Sequence, residues 1–239
     1  MNLWVGTSGF QYPEWKGTFY PEDLPAAKML PFYAERFSTT EINYTFRRIP
    51  SPKTIENWCK LTTERFKFAL KAPQKITHFA KLQGCDDTLT YFYKVVSALG
   101  NRLGPVLFQL PPFLRKDAAL LGDFVRCFPQ AMRAAFEFRH GSWFDDEIFS
   151  ILKAHNVALC LSESDKLSAP LVATADFGYL RLRREDYVQE DVRRWADVIK
   201  GNSTNWSDTF VYFKHEESGI GPKLASEMMQ MVGSAPNDL

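Results

Sequence analysis

Apolar and polar positions alternate in eight short segments with the two-residue period of a strand: Leu3–Thr7, Thr39–Tyr44, Phe66–Lys71, Val106–Leu110, Ala134–Arg139, Val157–Leu161, Gly178–Arg183 and Thr209–Lys214. Most gaps between them carry helix-like spacing, at Lys28–Phe37, Lys53–Leu61, Asp87–Leu99, Asp117–Phe128, Phe144–His155 and Asp191–Lys200. Pro222–Val232 follows the last strand in the same way. After the sixth strand, Ser162–Pro170 is polar and too short for a full helix. Strands and helices in this alternation predict a parallel sheet, and eight strands predict closure. The fold expected is an α/β, (β/α)8 TIM-type barrel whose sixth βα unit lacks a full helix. No linker or composition break interrupts residues 1–239, so one domain is expected.

The stretch Ala134–Trp143, AAFEFRHGSW, shows the pattern at its sharpest. Phe136 and Phe138 take one side of the strand, Glu137 and Arg139 the other. Ser142 with Asp145 reads as a capping box, and Asp145, Asp146 and Glu147 bring negative charge to the first turn of the next helix. Extending the same parity to each strand collects Ser8, Glu41 with Asn43, Lys71, Gln109, Glu137 with Arg139, Arg181 with Arg183, and Tyr212 with Lys214. Their greasy neighbours would pack under the outer helices, so the polar set would point inward and converge at the C-terminal end of the barrel.

Charge gives that convergence a sign. The protein is nearly neutral, at +1, yet the inward set holds two carboxylates (Glu41, Glu137) against five cations (Lys71, Arg139, Arg181, Arg183, Lys214). Such a mouth suits an anion. Arg181, Arg183 and Lys214 lie where many barrels grip phosphate, and arginine can hold phosphate or carboxylate through two parallel hydrogen bonds. The competing reading is a closed network, Glu41 with Lys71 and Glu137 with Arg139 or Arg181, that satisfies itself and binds nothing.

The remaining composition excludes more than it selects. A net charge of +1 argues against wrapping a long stretch of nucleic acid. Cys59, Cys85, Cys127 and Cys160 are widely spaced with no C-x-x-C, which reads as reduced thiols rather than disulfides or zinc ligands. The opening residues MNLWVGTSGF contain no basic segment and only a short apolar run, and no run reaches the length of a membrane span. Cytoplasmic location and no membrane partner are the expectations. Oligomeric state is not readable.

Two loops stand out. Ser8–Ala27 is long and carries Phe10, Tyr12, Trp15, Phe19 and Tyr20 among prolines, which suits either a binding lid or an aromatic plug. Ala72–Asp86 follows the third strand and carries His78 beside Thr77, a candidate catalytic histidine with surface hydrogen bonding as the plainer alternative.

Seven ordered motifs resemble one known family. They are GTSGF with Trp15 and Phe19–Pro21, EINYTF (Glu41–Phe46), FKFALKAPQKITH (Phe66–His78), LFQLPP (Leu107–Pro112), EFRHGSW (Glu137–Trp143), YLRLR (Tyr179–Arg183) and VYFKH (Val211–His215). Together they look like the YecE-like barrels, domain of unknown function seventy-two, over nearly the whole chain. The resemblance implies a TIM-type barrel and supplies no activity. Many members carry Arg-Leu-His-Gly at the seventh strand and Phe-Asn-Asn at the eighth, where this chain has Arg181-Leu182-Arg183-Arg184 and Phe213-Lys214-His215. That departure bears on any ligand chemistry using the histidine or the amides.

Several functions fit these residues. The first is an enzyme acting on a small phosphorylated or carboxylated molecule, with Glu41 or Glu137 as general acid or base, Lys71 as electrophile or Schiff-base amine, and Asn43 and Gln109 orienting. On that reading Glu137→Gln would abolish turnover and leave melting nearly unchanged. The second is glycoside hydrolysis by two carboxylates, opposed by an expected separation of Glu41 and Glu137 across the barrel. A divalent metal would face five cations, so no metal site is expected even with His78 and His140 nearby, and no cofactor is specified. The last is a binding protein without turnover, for an anionic metabolite or a nucleic-acid end, with Tyr12, Trp15 and Trp143 stacking on a base.

Overall fold

In the computed structural model, which describes residues 1–164, 167–215 and 219–233, the alternating segments become eight parallel strands. These are β1 (Asn2–Ser8), β2 (Thr39–Ile42), β3 (Lys67–Lys71), β4 (Leu103–Gln109), β5 (Ala134–Glu137), β6 (Ala158–Glu163), β7 (Phe177–Leu182) and β8 (Asp208–Phe213). They hydrogen-bond in chain order, and β8 pairs with β1 to close the barrel. The helices are α1 (Met29–Ala34), α2 (Pro52–Lys60), α3 (Asp86–Val96), α4 (Ala118–Arg126), α5 (Asp146–Ala154), α6 (Gln189–Gly201) and α7 (Ile220–Val232). None of the described residues between β6 and β7 is helical. Extended chain covers β6 instead: Thr174 Oγ1 accepts from Leu159 N at 2.7 Å and donates to Val157 O at 2.8 Å, while Val172 and Ala173 pack on the outer core. No helix among the described residues is long and apolar enough to cross a membrane.

Helices begin where a side chain stands in for the missing backbone acceptor. Ser51 accepts from Thr54 N ahead of Pro52, Asp117 from Leu120 N, and Asp145 from Glu147 N. The last of these corrects the capping box read at Ser142, whose hydroxyl accepts from Lys116 N instead. Strand ends also move. β2 stops at Ile42 because Asn43 adopts a helical conformation and starts a 3-10 turn, Tyr44–Phe46. β5 stops at Glu137, leaving Arg139 outside the ladder, whereas β6 runs two residues past Leu161.

Parity separates the two cores. Phe68, Leu70, Phe108, Phe136, Leu180 and Val211 are buried against helix residues such as Ile55, Leu121, Ile148 and Ile199, each contributing roughly 2 kcal/mol by burial. Facing inward are Ala69, Leu107, Ala135 and Cys160 opposite Tyr179, Phe210 and Tyr212. Small residues on one wall thus meet large ones on the other, which fills a narrow barrel without a channel. The polar side chains expected on the inward parity therefore gather at the ends of the strands, with Thr39 between them, its Oγ1 2.8 Å from Tyr212 Oη. At the opposite end Asp208 accepts from Asn2, Trp4 and Arg133 and seals the bottom.

The β1–β2 seam is built unlike the others. The two strands pair only over Gly6–Ser8 and Thr39–Glu41. Tyr33 of α1 inserts its hydroxyl there, accepting from Thr7 N at 2.8 Å and donating to Thr39 O at 3.0 Å. Gly6 leaves the room: a Cβ would stand 2.1 Å from Thr39 O and 2.8 Å from the Tyr33 hydroxyl. Beside this seam the long loop is a packed aromatic block. Trp15 and Tyr20 are buried, Phe19 touches Phe32, Tyr33 and Phe37, and Tyr20 Oη donates to Phe10 O at 2.5 Å. This is the plug rather than the lid.

Candidate active site

Ser8, Glu41, Lys71, Gln109, Glu137, Ser162 and Arg181 are the last inward residues of β1 through β7, so strand closure gathers them in one layer at the C-terminal mouth. Arg181 is their hub. Its side chain is 2% exposed. Nε and Nη2 donate to Glu41 Oε1 at 3.1 and 2.8 Å, and Nη1 donates to Glu137 Oε2. Only a planar guanidinium, with donors fanned over two edges, can satisfy two carboxylates in this way. Glu41 also accepts from Ser8 Oγ at 2.5 Å and Tyr179 Oη at 2.7 Å, and Asn43 Nδ2 donates to Ser8 Oγ at 2.7 Å. Glu137 accepts from Gln109 Nε2 at 2.9 Å and Arg183 Nη2 at 2.8 Å, with Arg139 Nε 4.0 Å away.

Burial by itself would push both carboxyls toward their neutral forms, but Arg181 outweighs it. Glu41 is held below the usual carboxylate range, and Glu137, which also faces Arg183, is held down to about 2. Two expectations are corrected here. The carboxylates are not too far apart to cooperate, since one guanidinium spans the gap between them. They are nonetheless unsuited to glycoside hydrolysis, because that chemistry needs one partner protonated and both are ionised. For the same reason neither serves as a general acid near neutral pH.

Lys71 does not pair with Glu41, the partner that the competing closed-network reading gives it. Its Nζ donates to the neutral amide oxygen of Gln109 at 2.8 Å and sits 4.1 Å from the centroid of the Phe46 ring. It forms no ion pair among the described residues. Burial, then the charge of Arg181, lowers its pKa; Glu41 and Glu137 oppose, Lys214 adds to the fall, and the value is about 8. His78 lies in a π-helical turn, Lys75–Phe79, directly after β3. Its Nδ1 is 2.9 Å from Thr77 Oγ1 and its ring meets Phe46 edge-on at 4.9 Å, so Lys71 and His78 share one aromatic neighbour. Burial, Lys71 and Arg139 all lower the pKa of His78.

Around this layer the cations differ in availability. Arg183 is 14% exposed and its Nε has no partner among the described residues. Arg139 is 38% exposed, and Lys214 is exposed just past β8. Arg181 is fully committed and cannot reach a ligand, a correction to its assignment as a ligand-binding residue. Trp15 and Trp143 are corrected as well: both are fully buried, Trp143 lying flat on Phe138 at 4.8 Å and donating Nε1 to Leu114 O at 2.8 Å. Neither indole can stack on a base. His140 uses Nδ1 to cap the 3-10 turn Gly141–Trp143, accepting from Ser142 N. Tyr12 donates to Ser8 O at 2.7 Å and borders a cleft of about 430 Å³ that reaches Asn43. A cleft of about 730 Å³ between α1 and α2, at the other end of the barrel, contains none of these residues.

Four contributors escaped the sequence reading. Tyr179 lies two residues before Arg181 on the same parity, a signal that was present. Phe46 carried none, since its place under Lys71 depends on a turn. Ser162 and Glu163 lie past Leu161, where the sequence pattern predicts the sixth strand to end, and Ser162 is the register partner of Arg181. Glu163 faces outward and ties β6 to α6, accepting from Trp195 Nε1 at 2.8 Å and Arg194 Nη2 at 2.5 Å. The departures at the seventh and eighth strands are also explained. Arg183 pairs with Glu137, and His215 Nε2 lies 2.6 Å from the backbone oxygen of Arg184.

Comparison with known proteins agrees with this architecture. A solved DUF72 family protein from Thermotoga maritima superposes with a TM-score of 0.87 at 24% identity, covering 98% of this chain and 100% of its own. Another, from Enterococcus faecalis, gives 0.80 at 16% identity over 98% and 96%. UPF0759 protein YecE of Escherichia coli strain K12 is 30% identical over 143 residues, which is 59% of this chain and only half the length of YecE. UPF0759 protein YunF of Bacillus subtilis strain 168 is 22% identical over 99% of both chains. The family model described as protein of unknown function DUF72 matches residues 4–239, and the chain belongs to that family.

Proposed function

We propose that this barrel is an enzyme acting on a small anionic molecule, phosphorylated or carboxylated, by proton transfer at its mouth. The observation that carries the reading is Lys71: an inward lysine held by a neutral amide rather than a carboxylate, whose burial pulls its pKa down to about 8. A general acid or base works best when its pKa lies near the working pH. Glu41 and Glu137 take a different part, holding Arg181 and Arg183 in place and keeping the layer charged. The partly exposed Arg183 guanidinium and the half-open Arg139 supply the grip on an anion, and Lys214 adds to the positive field. His78 is the second proton carrier. Binding of a nucleic-acid end loses its support with the burial of Trp15 and Trp143.

The test is a mixed pool of phosphorylated, carboxylated and neutral metabolites, incubated with wild type and with Lys71→Met and followed by mass spectrometry. At least one anionic compound should be consumed, and the variant should act at least about 100-fold more slowly. Equal rates, consumption of neutral sugars alone, or an untouched pool would each defeat the proposal.

A further inference from the structure

Lys71 has a geometry that a structural cation does not need. Glu41 and Glu137 stand in the same layer, yet both are saturated by Arg181, Arg183, Ser8, Tyr179 and Gln109, and Lys71 receives an amide oxygen instead. A neutral acceptor lets the nitrogen keep a hydrogen bond after it gives up a proton, without the carboxylate that would hold it as an ammonium. The Phe46 ring covers another side of Nζ, and His78 packs on that same ring. The nitrogen therefore sits at the end of a strand, with a proton carrier on the same ring and with Arg183 and Arg139 joined to it through Gln109 and Glu137.

We infer that Lys71 is a nucleophile that forms an imine with an aldehyde or ketone bearing an anionic group, the anion being held by Arg183 and Arg139. This rests on the anion site proposed above. In the addition step the nitrogen lone pair forms a C–N bond as the carbonyl π pair moves to oxygen; nitrogen loses one proton and oxygen gains one. The resulting carbinolamine takes a proton on its hydroxyl, carried by His78 in our assignment, water leaves as the nitrogen lone pair closes the C=N bond, and the proton left on the iminium nitrogen returns to His78. One amine and one carbonyl give one imine and one water, with no change of oxidation state. The lowered pKa supports the step, since a shift from 10.5 to about 8 leaves roughly 300-fold more neutral amine at pH 7.

The experiment uses the full chain with two probes, pyruvate and pyridoxal phosphate, at pH 7 with borohydride reduction and peptide mapping. Reduced adduct should appear on Lys71 about 100-fold faster than on the exposed Lys53, vanish in Lys71→Arg, and be suppressed by inorganic phosphate. Lys71→Arg should melt close to wild type, so that loss of label reports chemistry rather than unfolding. Labelling of Lys71 no faster than Lys53 overturns the inference. A parallel thermal shift with inorganic phosphate, which needs no imine, separates the two claims: stabilisation without adduct sinks the nucleophile and leaves the anion site standing. An adduct that phosphate neither displaces nor slows overturns the anionic substrate class and with it the inference.

Discussion

Glu137 is a buried acid that burial fails to neutralise, because two guanidiniums and an amide converge on its two oxygens. Removing such a charge leaves its partners stranded, so Glu137→Gln is expected to cost about 3 kcal/mol or more of stability in urea unfolding at pH 7. A loss under about 1 kcal/mol would mean that Arg181 and Arg183 find water instead. This reverses the sequence expectation of unchanged melting. Glu41, Lys71, Gln109, Glu137 and Arg181 were all legible from two-residue alternation. Their pairing was not. In a tilted barrel the reach of a side chain across the lumen decides its partner, so Arg181 of β7 meets Glu41 of β2, and Lys71 meets Gln109 of the adjacent β4 rather than Glu41. Trp15 and Trp143 were misjudged because loop spacing carries no information about burial.

Among the described residues, the eight strands and seven α-helices are readable because each needs one apolar face, and the lack of a helix between β6 and β7 is readable for want of one. Ends were harder: Asn43 and Ser162 differ in backbone state though both are small and polar. Nothing in the spacing announced the seam where Tyr33 enters between β1 and β2. There the phenol hydroxyl replaces a direct ladder bond, so Tyr33→Phe leaves Thr7 N and Thr39 O without their partner. Such an orphaned buried pair costs about 1–3 kcal/mol. Faster amide hydrogen exchange at Thr7 than in the β7–β8 ladder should accompany it, and unchanged exchange would assign Tyr33 to packing alone.

For the molecule as a whole, the titration of the buried layer sets the acid limb of stability. The folded pKa of Glu137, about 2, lies below its ordinary 4.5, so the unfolded chain binds protons first as pH falls. The stabilisation is complete above about 4.5 and drains away toward 2, on the order of 3 kcal/mol for this residue. Glu41 and Asp208, also held low, act in the same direction. Urea midpoints measured from pH 5 down to 3 should fall steeply in wild type and less steeply in Glu137→Gln; parallel curves would contradict the assignment. Above pH 10 the sign reverses, because buried Tyr33, Tyr179 and Tyr212 resist ionising in the fold and ionise freely outside it.

The bridge from β7 to β2 and β5 has one more effect. Sliding β7 by a single residue would swing Arg181 out among the helices and bring Leu182 in, abandoning two ionised glutamates in the lumen. A misthreaded barrel is thereby penalised far more heavily than an all-apolar lumen would penalise it. The alignment pin also holds the frame of the proposed reaction chamber, because Glu137 accepts from Arg183 and from the Gln109 amide that carries Lys71, so a chain that closes correctly has already set that frame.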